Sequence, residues 1–234
     1  MYANGIRALD GVSLKVGRGQ LLLVAGRSGS GKSTLAKVLA GLWPEPRPGE
    51  LKGSVFVDGE PVHIGNEPSA RCRVGLVLQS ADSQILDLSP VESVADVLLQ
   101  TGPTYDGDAI QRAIEVLHGV GLSQKAKEHV FDLSDGERQR VALAEVLALD
   151  PEVLVLDAPL AHLDPPSLIE FVNLIEYLAE EKGKAMVVLE HRVEYIAEKT
   201  DSIALLDGGK IILDEPPGVA LVEKLHELLK HGVR

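Results

Sequence analysis

Two rhythms of apolar and polar positions run along this chain. One is a set of short apolar runs at 20–25, 73–78, 153–157 and 185–190, with further ones at 202–206 and 210–213. Runs of this length with little polar alternation suit strands buried on both faces. The other rhythm is helical. Leu35, Val38, Leu39 and Leu42 recur at helix spacing across 32–42, and Ile110, Ile114 and Leu117 do so across 108–118. Helices are also expected over 91–99, from Asp135 to about 149, over 166–181 and from Pro217 to about 231. The end of the opening stretch, 8–16, alternates as a half-buried strand would. Residues 41–49 are rich in Gly and Pro and read as loop. A strand over 51–57, a tight turn at Asp58-Gly59 and a return strand at 61–64 read as a hairpin.

Strands alternating with helices predict an α/β fold with a mostly parallel sheet covered on both faces. The block from 80 to 149 breaks the alternation and reads as a helical insert. In such a sheet the ligand site belongs at the carboxyl ends of the strands. Four chemically distinctive positions fall at those ends: the loop after residue 25, Gln79, Asp157 and His191.

The loop is Gly26-Arg27-Ser28-Gly29-Ser30-Gly31-Lys32-Ser33-Thr34, which fits G-x-x-x-x-G-K-[ST] between a strand and a helix. Its glycines let backbone N–H groups turn inward, and the helix N-terminus adds positive potential. Lys32 is expected to reach the β/γ-phosphates of a nucleoside triphosphate, and the Ser33 hydroxyl to sit on Mg²⁺. Asp157 is either a helix N-cap or a holder of Mg²⁺. Gln79 is either a strand terminator or a neutral oxygen for Mg²⁺ and the attacking water. His191 is either a core histidine or a contact to the γ-phosphate. Tyr2 is either a surface residue or a ring that stacks on a nucleotide base.

Composition narrows the partners. The net charge of −12 disfavours nonspecific nucleic-acid binding. Cys72 is the only cysteine, so neither a disulfide framework nor a cysteine zinc cluster is expected. No apolar run reaches the length of a membrane span, and the start Met-Tyr-Ala-Asn-Gly has no signal-peptide pattern. Membrane association is therefore expected to go through a partner.

The stretch Leu133-Ser134-Asp135-Gly136-Glu137-Arg138-Gln139-Arg140-Val141-Ala142 resembles the signature of the ATP-binding cassette (ABC) family, usually L-S-G-G-Q. The resemblance covers nearly the whole chain. It implies that Tyr2 stacks on adenine, Gln79 is the Q-loop glutamine, Asp157 is the Walker B carboxylate and His191 is the switch histidine. Ala161-His162-Leu163-Asp164 is similar to the D-loop. It implies one ABC ATPase domain over 1–234, with a P-loop (RecA-like) core and antiparallel β subdomain from 1–79 and 150–234, and a helical subdomain at 80–149. ATP and Mg²⁺ are the implied ligands. Two subunits would sandwich ATP head to tail, Ser134 and Gly136 of one gripping the phosphate held by the other. An integral membrane permease is the implied partner, with the chain peripheral on the cytoplasmic face. The stretches 74–84 and 91–95, with Glu190-His191-Arg192, are similar to the ATPases of energy-coupling factor importers.

The sequence departs from that pattern at Ala158, where the family has a Glu as general base. A methyl group accepts no proton, and general-base help is typically worth about 10²–10⁴-fold. Asp135 and Glu137 also replace Gly and Gln, and added carboxylates oppose a phosphate unless they meet a cation or turn away. Either a divergent subunit of a heterodimer or an engineered Glu→Ala change accounts for position 158; the neighbouring departures favour divergence. Glu190 is a possible stand-in base. A DNA-maintenance ATPase is disfavoured, because about 54 residues between Gln79 and Leu133 are too few for its long coiled-coil arm.

Overall fold

The computed structural model describes residues 5–42, 50–63, 73–81, 84–85, 88–101 and 106–218. A six-stranded sheet forms the centre: β1 (Leu21–Ala25), β4 (Val74–Val77), β5 (Val153–Asp157), β6 (Ala185–Glu190), β7 (Ser202–Asp207) and β8 (Lys210–Glu215). The order is β4-β5-β6-β1-β7-β8. The first five strands are parallel and β8 runs antiparallel to β7. A separate two-stranded pair, β2 (Phe56–Val57) and β3 (Glu60–Pro61), turns at Asp58 and Gly59. Both turn residues have positive φ, 49° and 80°, the backbone that a two-residue hairpin turn requires.

Strand residues divide by parity between two apolar layers. Leu21, Leu23 and Ala25 face a layer with Leu154, Leu156, Met186 and Val188, covered by α5 (Pro165–Glu180) through Leu168, Phe171 and Ile175. Leu22 and Val24 face the opposite layer with Val155, Val187 and Leu189, covered by α1 (Lys32–Leu39) through Leu35 and Ala36. A third apolar cluster joins α2 (Pro90–Thr101), α3 (Asp106–Gly119) and α4 (Asp135–Ala148). α4 serves two clusters: Ala142, Leu143 and Val146 pack toward the sheet, Val141, Ala144 and Ala148 toward α2 and α3. A helix apolar on most of its faces belongs in such a central position.

Four local expectations differ. The opening stretch is no strand among residues 5–16: it lies as a coil over the α1-side layer, with Leu9, Val12, Leu14 and Val16 half-buried. Gly11 takes φ +68° there, which takes the backbone out of the strand region. The strand expected over 51–57 keeps only Phe56–Val57, with Gly53 at φ +122° upstream. The return strand expected over 61–64 is Glu60–Pro61, because only those two residues pair with Phe56–Val57. α1 ends at Leu39 rather than 42, because Gly41 turns the chain at φ +73°. Tyr2, residues 43–49 of the expected loop, Ile64, Cys72 and, from residue 219 on, the helix expected from Pro217 lie outside the described residues.

Candidate nucleotide site

β1, β4, β5 and β6 are parallel, so their carboxyl ends share one edge of the sheet. At that edge β1 leads into 26–31 and α1 begins at Lys32, with Gly31 as N-cap at φ +112°. A Cβ on Gly31 would stand 2.5 Å from the Ala8 carbonyl oxygen, and one on Gly26 would stand 2.5 Å from that of Leu206. Only glycine fits either position. The first turn of α1 has no acidic side chain and its Gly31 N-cap supplies no side-chain hydrogen bond, so the helix dipole favours an anion there. Arg27, Ser28 and Gly29 are exposed on the loop, Gly31 and Thr34 are half-buried, and Ser30 is buried. The Ser30 hydroxyl has no hydrogen-bond partner among the described residues.

Lys32 is buried, and its Nζ donates to the carbonyl oxygens of Gly26 at 2.6 Å and Arg27 at 3.0 Å. Burial pushes the ammonium pKa below its ordinary value; the nearby Glu190 and Asp157 carboxylates oppose that shift. Asp157, at the end of β5, is 5% exposed, and burial pushes its carboxyl pKa up. Its side chain hydrogen-bonds Ser33, and the Lys32 and Lys37 ammonium groups act on it as cations; all three oppose that rise. Hydroxyl and carboxylate oxygens are therefore brought together beside the helix N-terminus, a donor set that suits a hard cation such as Mg²⁺. Gln79 lies exposed just past β4, on the same edge. It lines a cavity of about 330 Å³ with Arg138, Gln139, Pro159 and His162, where the buried Gln139 amide nitrogen has no partner among the described residues.

His191 follows β6 directly, and its ring is half exposed. Glu190, the last residue of β6, is fully buried. It accepts hydrogen bonds from the backbone N–H groups of Leu160, His191 and Arg192, and its Oε1 lies 2.8 Å from His191 Nδ1. It is an anchor for this corner, closed in by donors, rather than an open base. Ala158 is buried at φ +48°, held by its N–H to the Leu189 carbonyl at 2.7 Å.

Ser134 and Gly136 stand at the start of α4, where Asp135 between them lines the same cavity as Gln79. No hydrogen bond joins them to the P-loop among the described residues. Ser134 is exposed and caps α4 in a capping box: its hydroxyl accepts from the Glu137 N–H at 3.3 Å, and the Glu137 carboxylate accepts from the Ser134 N–H at 2.8 Å. That backbone bond holds the Glu137 carboxyl pKa below its ordinary value. Asp135 is ion-paired to Arg138, which also donates to the Leu133 carbonyl at 2.6 Å. Both added carboxylates are thus engaged within their own helix turn. Gly136 is buried against Ser167, where a Cβ would come within 2.7 Å.

A glycine loop, a lysine and a Walker-type aspartate at the carboxyl edge of a parallel sheet define a P-loop nucleotide-binding protein. The model of the ABC transporter family matches residues 9–161, and the chain belongs to that family. It is 37% identical to an ABC transporter ATP-binding protein of Pyrococcus abyssi over 228 residues, 97% of this chain and 80% of that protein. It is 37% identical to one of Pyrococcus horikoshii over 211 residues, 90% and 74% of the two chains. Against one of Methanosarcina acetivorans it is 34% identical over 94% of its own length but spans only 34% of that protein. Among solved structures it resembles cbiO1 from Clostridium perfringens, part of the ABC transporter complex cbiONQ, with a TM-score of 0.80 at 24% identity over 98% of this chain and 95% of that one. A dimeric ATP-binding cassette bound to ADP and Pi matches with a TM-score of 0.76 at 27% identity over 91% of each chain.

Proposed function

We propose that this chain binds MgATP on its P-loop and hydrolyses it slowly as one ATPase subunit of a membrane importer of the energy-coupling factor type. The observation that carries the reading is the convergence of Lys32, the Ser33–Asp157 pair, Gln79 and His191 on one sheet edge, beside an uncapped helix N-terminus. Gly26, Arg27, Ser28, Gly29, Ser30, Gly31, Lys32, Ser33 and Thr34 cradle the phosphates, and Tyr2 stacks on the base. Ser33, Gln79 and Asp157 hold Mg²⁺, whose charge screens the phosphates and aids the departure of ADP when bound. His191 and Gln79 orient the attacking water.

Ser134 and Gly136 meet the nucleotide of a second ABC ATPase subunit, head to tail. The exposure of Ser134 is compatible with that contact. The core at 1–79 and 150–234 carries the P-loop, and the helical block at 80–149 carries the docking face for an integral membrane permease. Membership of the ABC transporter family supports a membrane partner. No helix among the described residues is long and apolar enough to cross a membrane. The chain attaches through that permease, peripherally, at the cytoplasmic face.

Ala158 favours a second reading: a nucleotide-binding partner that completes another subunit's site and does not hydrolyse ATP itself. Phosphate release from the purified chain, wild type and Ala158→Glu, separates the two. Turnover by the wild type supports the first; ATP binding with turnover only after Ala158→Glu supports the second; no ATP binding by either protein sinks both.

A further inference from the structure

We infer that Glu190 is a positioning residue that makes His191 the proton acceptor of this site, where Ala158 offers none. The inference rests on the reading of the P-loop as an ATP site. At the β6 terminus, Glu190 Oε1 accepts the N–H of His191 at 2.7 Å and the N–H of Arg192 at 3.1 Å, and it lies 2.8 Å from His191 Nδ1. Oε2 accepts the N–H of Leu160 at 3.1 Å. Around this carboxylate stand the His191 ring, the Lys32 ammonium, the Asp157 carboxylate and Arg192.

Glu190 itself is sealed: it is 0% exposed and both oxygens are committed, so it cannot meet a water. Its effect reaches the site through His191. A carboxylate beside Nδ1 fixes the neutral ring in the tautomer that carries hydrogen on Nδ1, which leaves the Nε2 lone pair free. The His191 side chain is 47% exposed, so the ring is open to a water.

The corner is also held from the other side. The Arg192 guanidinium donates to the Leu160 carbonyl at 3.0 Å and stacks over the Tyr195 ring at 4.8 Å. Leu160 is therefore gripped twice, by Glu190 at its N–H and by Arg192 at its carbonyl. These bonds tie the turn bearing His191 to the segment bearing Ala158.

In the hydrolytic step a lone pair of the water oxygen forms the new bond to the γ-phosphorus. The bond from that phosphorus to the β–γ bridging oxygen breaks, its electron pair leaving with ADP. The water proton passes to His191 Nε2, and the Glu190 carboxylate balances the charge of the imidazolium formed. A carboxylate that orients and neutralises a histidine base in this way is indispensable to rate without touching the substrate.

The test uses the full chain with MgATP, reading phosphate release and, separately, ATP affinity. Glu190→Gln is expected to lower kcat at least tenfold while ATP affinity changes less than about threefold. His191→Ala is expected to lose as much, and the double variant no more than either, since the two act as one unit. Ala158→Glu in the His191→Ala background is expected to restore turnover, because a carboxylate then stands in for the lost base. Wild-type turnover in Glu190→Gln, or losses that multiply in the double variant, would overturn the inference. Should Glu190→Gln fail to fold, as a thermal melt would reveal, the His191→Ala pair decides: no loss in that variant, or no rescue by Ala158→Glu, overturns it. A wild-type chain that binds ATP yet releases no phosphate overturns this inference and leaves the ATP-binding reading standing. A chain that binds no ATP removes both.

Discussion

The Lys32 ammonium lies 2.6 Å from the carbonyl oxygen of Gly26, folded back on the loop whose far end it follows. A second bond, to the Arg27 carbonyl at 3.0 Å, completes the fold-back. Both acceptors are neutral, and burial has already pushed the ammonium pKa down. A triphosphate offers it charged acceptors, which make stronger hydrogen bonds than carbonyls do.

Lys32→Met removes those bonds while keeping a long apolar stem. A hydrogen bond to a charged group is worth about 1.5–3 kcal/mol, so ATP is expected to bind about 10–100-fold more weakly. Urea unfolding without nucleotide is expected to change little, since the lost bonds were to loop carbonyls. Titration of a fluorescent ATP analogue checks the first effect. Unchanged affinity would mean that the P-loop does not hold the phosphates.

The capping box on α4 yields a second prediction. Glu137 accepts from the Ser134 N–H at 2.8 Å, so it occupies a donor that the proposed partner phosphate would also use. Glu137→Gln keeps an oxygen for the cap and removes a negative charge from that helix N-terminus. ATP-dependent dimerisation, read by light scattering with MgATP, is expected to tighten several-fold. Ser134→Ala acts the other way: it loses the cap, about 1 kcal/mol of stability, and weakens the ATP-dependent dimer.

Gly75 supplies a stability prediction independent of any ligand. It pairs with Leu154 in the sheet while α4 passes directly over it. A Cβ there would lie 2.2 Å from Val146 Cγ1 and 3.0 Å from Pro151 Cγ. Gly75→Ala is expected to destabilise by about 1–3 kcal/mol through overpacking. Val146→Ala in the same chain is expected to recover part of that loss, a coupling that a double-mutant cycle in urea measures. Purely additive losses would contradict the close packing of β4 on α4.

The sequence spells out what depends on residues close together in the chain. β1, β4, β5 and β6 are readable because each is a short apolar run, and both sides of every run are covered. The glycine loop and Asp157 follow from those runs, and the Ser134–Glu137 box is a pattern of residues three apart. The opening stretch misleads because its alternation is real: Val12, Leu14 and Val16 do pack inward, but no strand pairs with that segment among the described residues. Glu190 shows what local pattern leaves out. It reads as an acid beside a histidine, a stand-in base, whereas its role depends on an N–H thirty residues away at Leu160. Gln84 is similar. It accepts from the Leu78 N–H at 3.1 Å and donates to the Ala142 carbonyl at 3.0 Å, tying the end of β4 to α4.

Next to that tie lies a buried acid. Glu145 on α4 is 4% exposed and hydrogen-bonded to Ser93 on α2 and to the Gln84 side chain, with Asp96 as the nearby charge. Burial pushes its carboxyl pKa from 4.5 up to about 7. The folded chain therefore binds this proton more tightly than the unfolded chain does. Stability contributed by the protonated form is fully present below about pH 4.5 and is lost as pH rises toward about 7. The whole effect is of the order of 3 kcal/mol, since each tenfold gain in proton affinity is worth about 1.4 kcal/mol. Glu145→Gln keeps an acceptor for Ser93 and has no proton to lose. Its stability is expected to exceed that of the wild type by a margin that grows from about pH 5 to about pH 8. Urea unfolding of both proteins at those two pH values checks it. A margin that stays flat, or shrinks toward alkaline pH, would mean that Glu145 is already ionised in the folded chain and that the α2–α4 contact holds a charge.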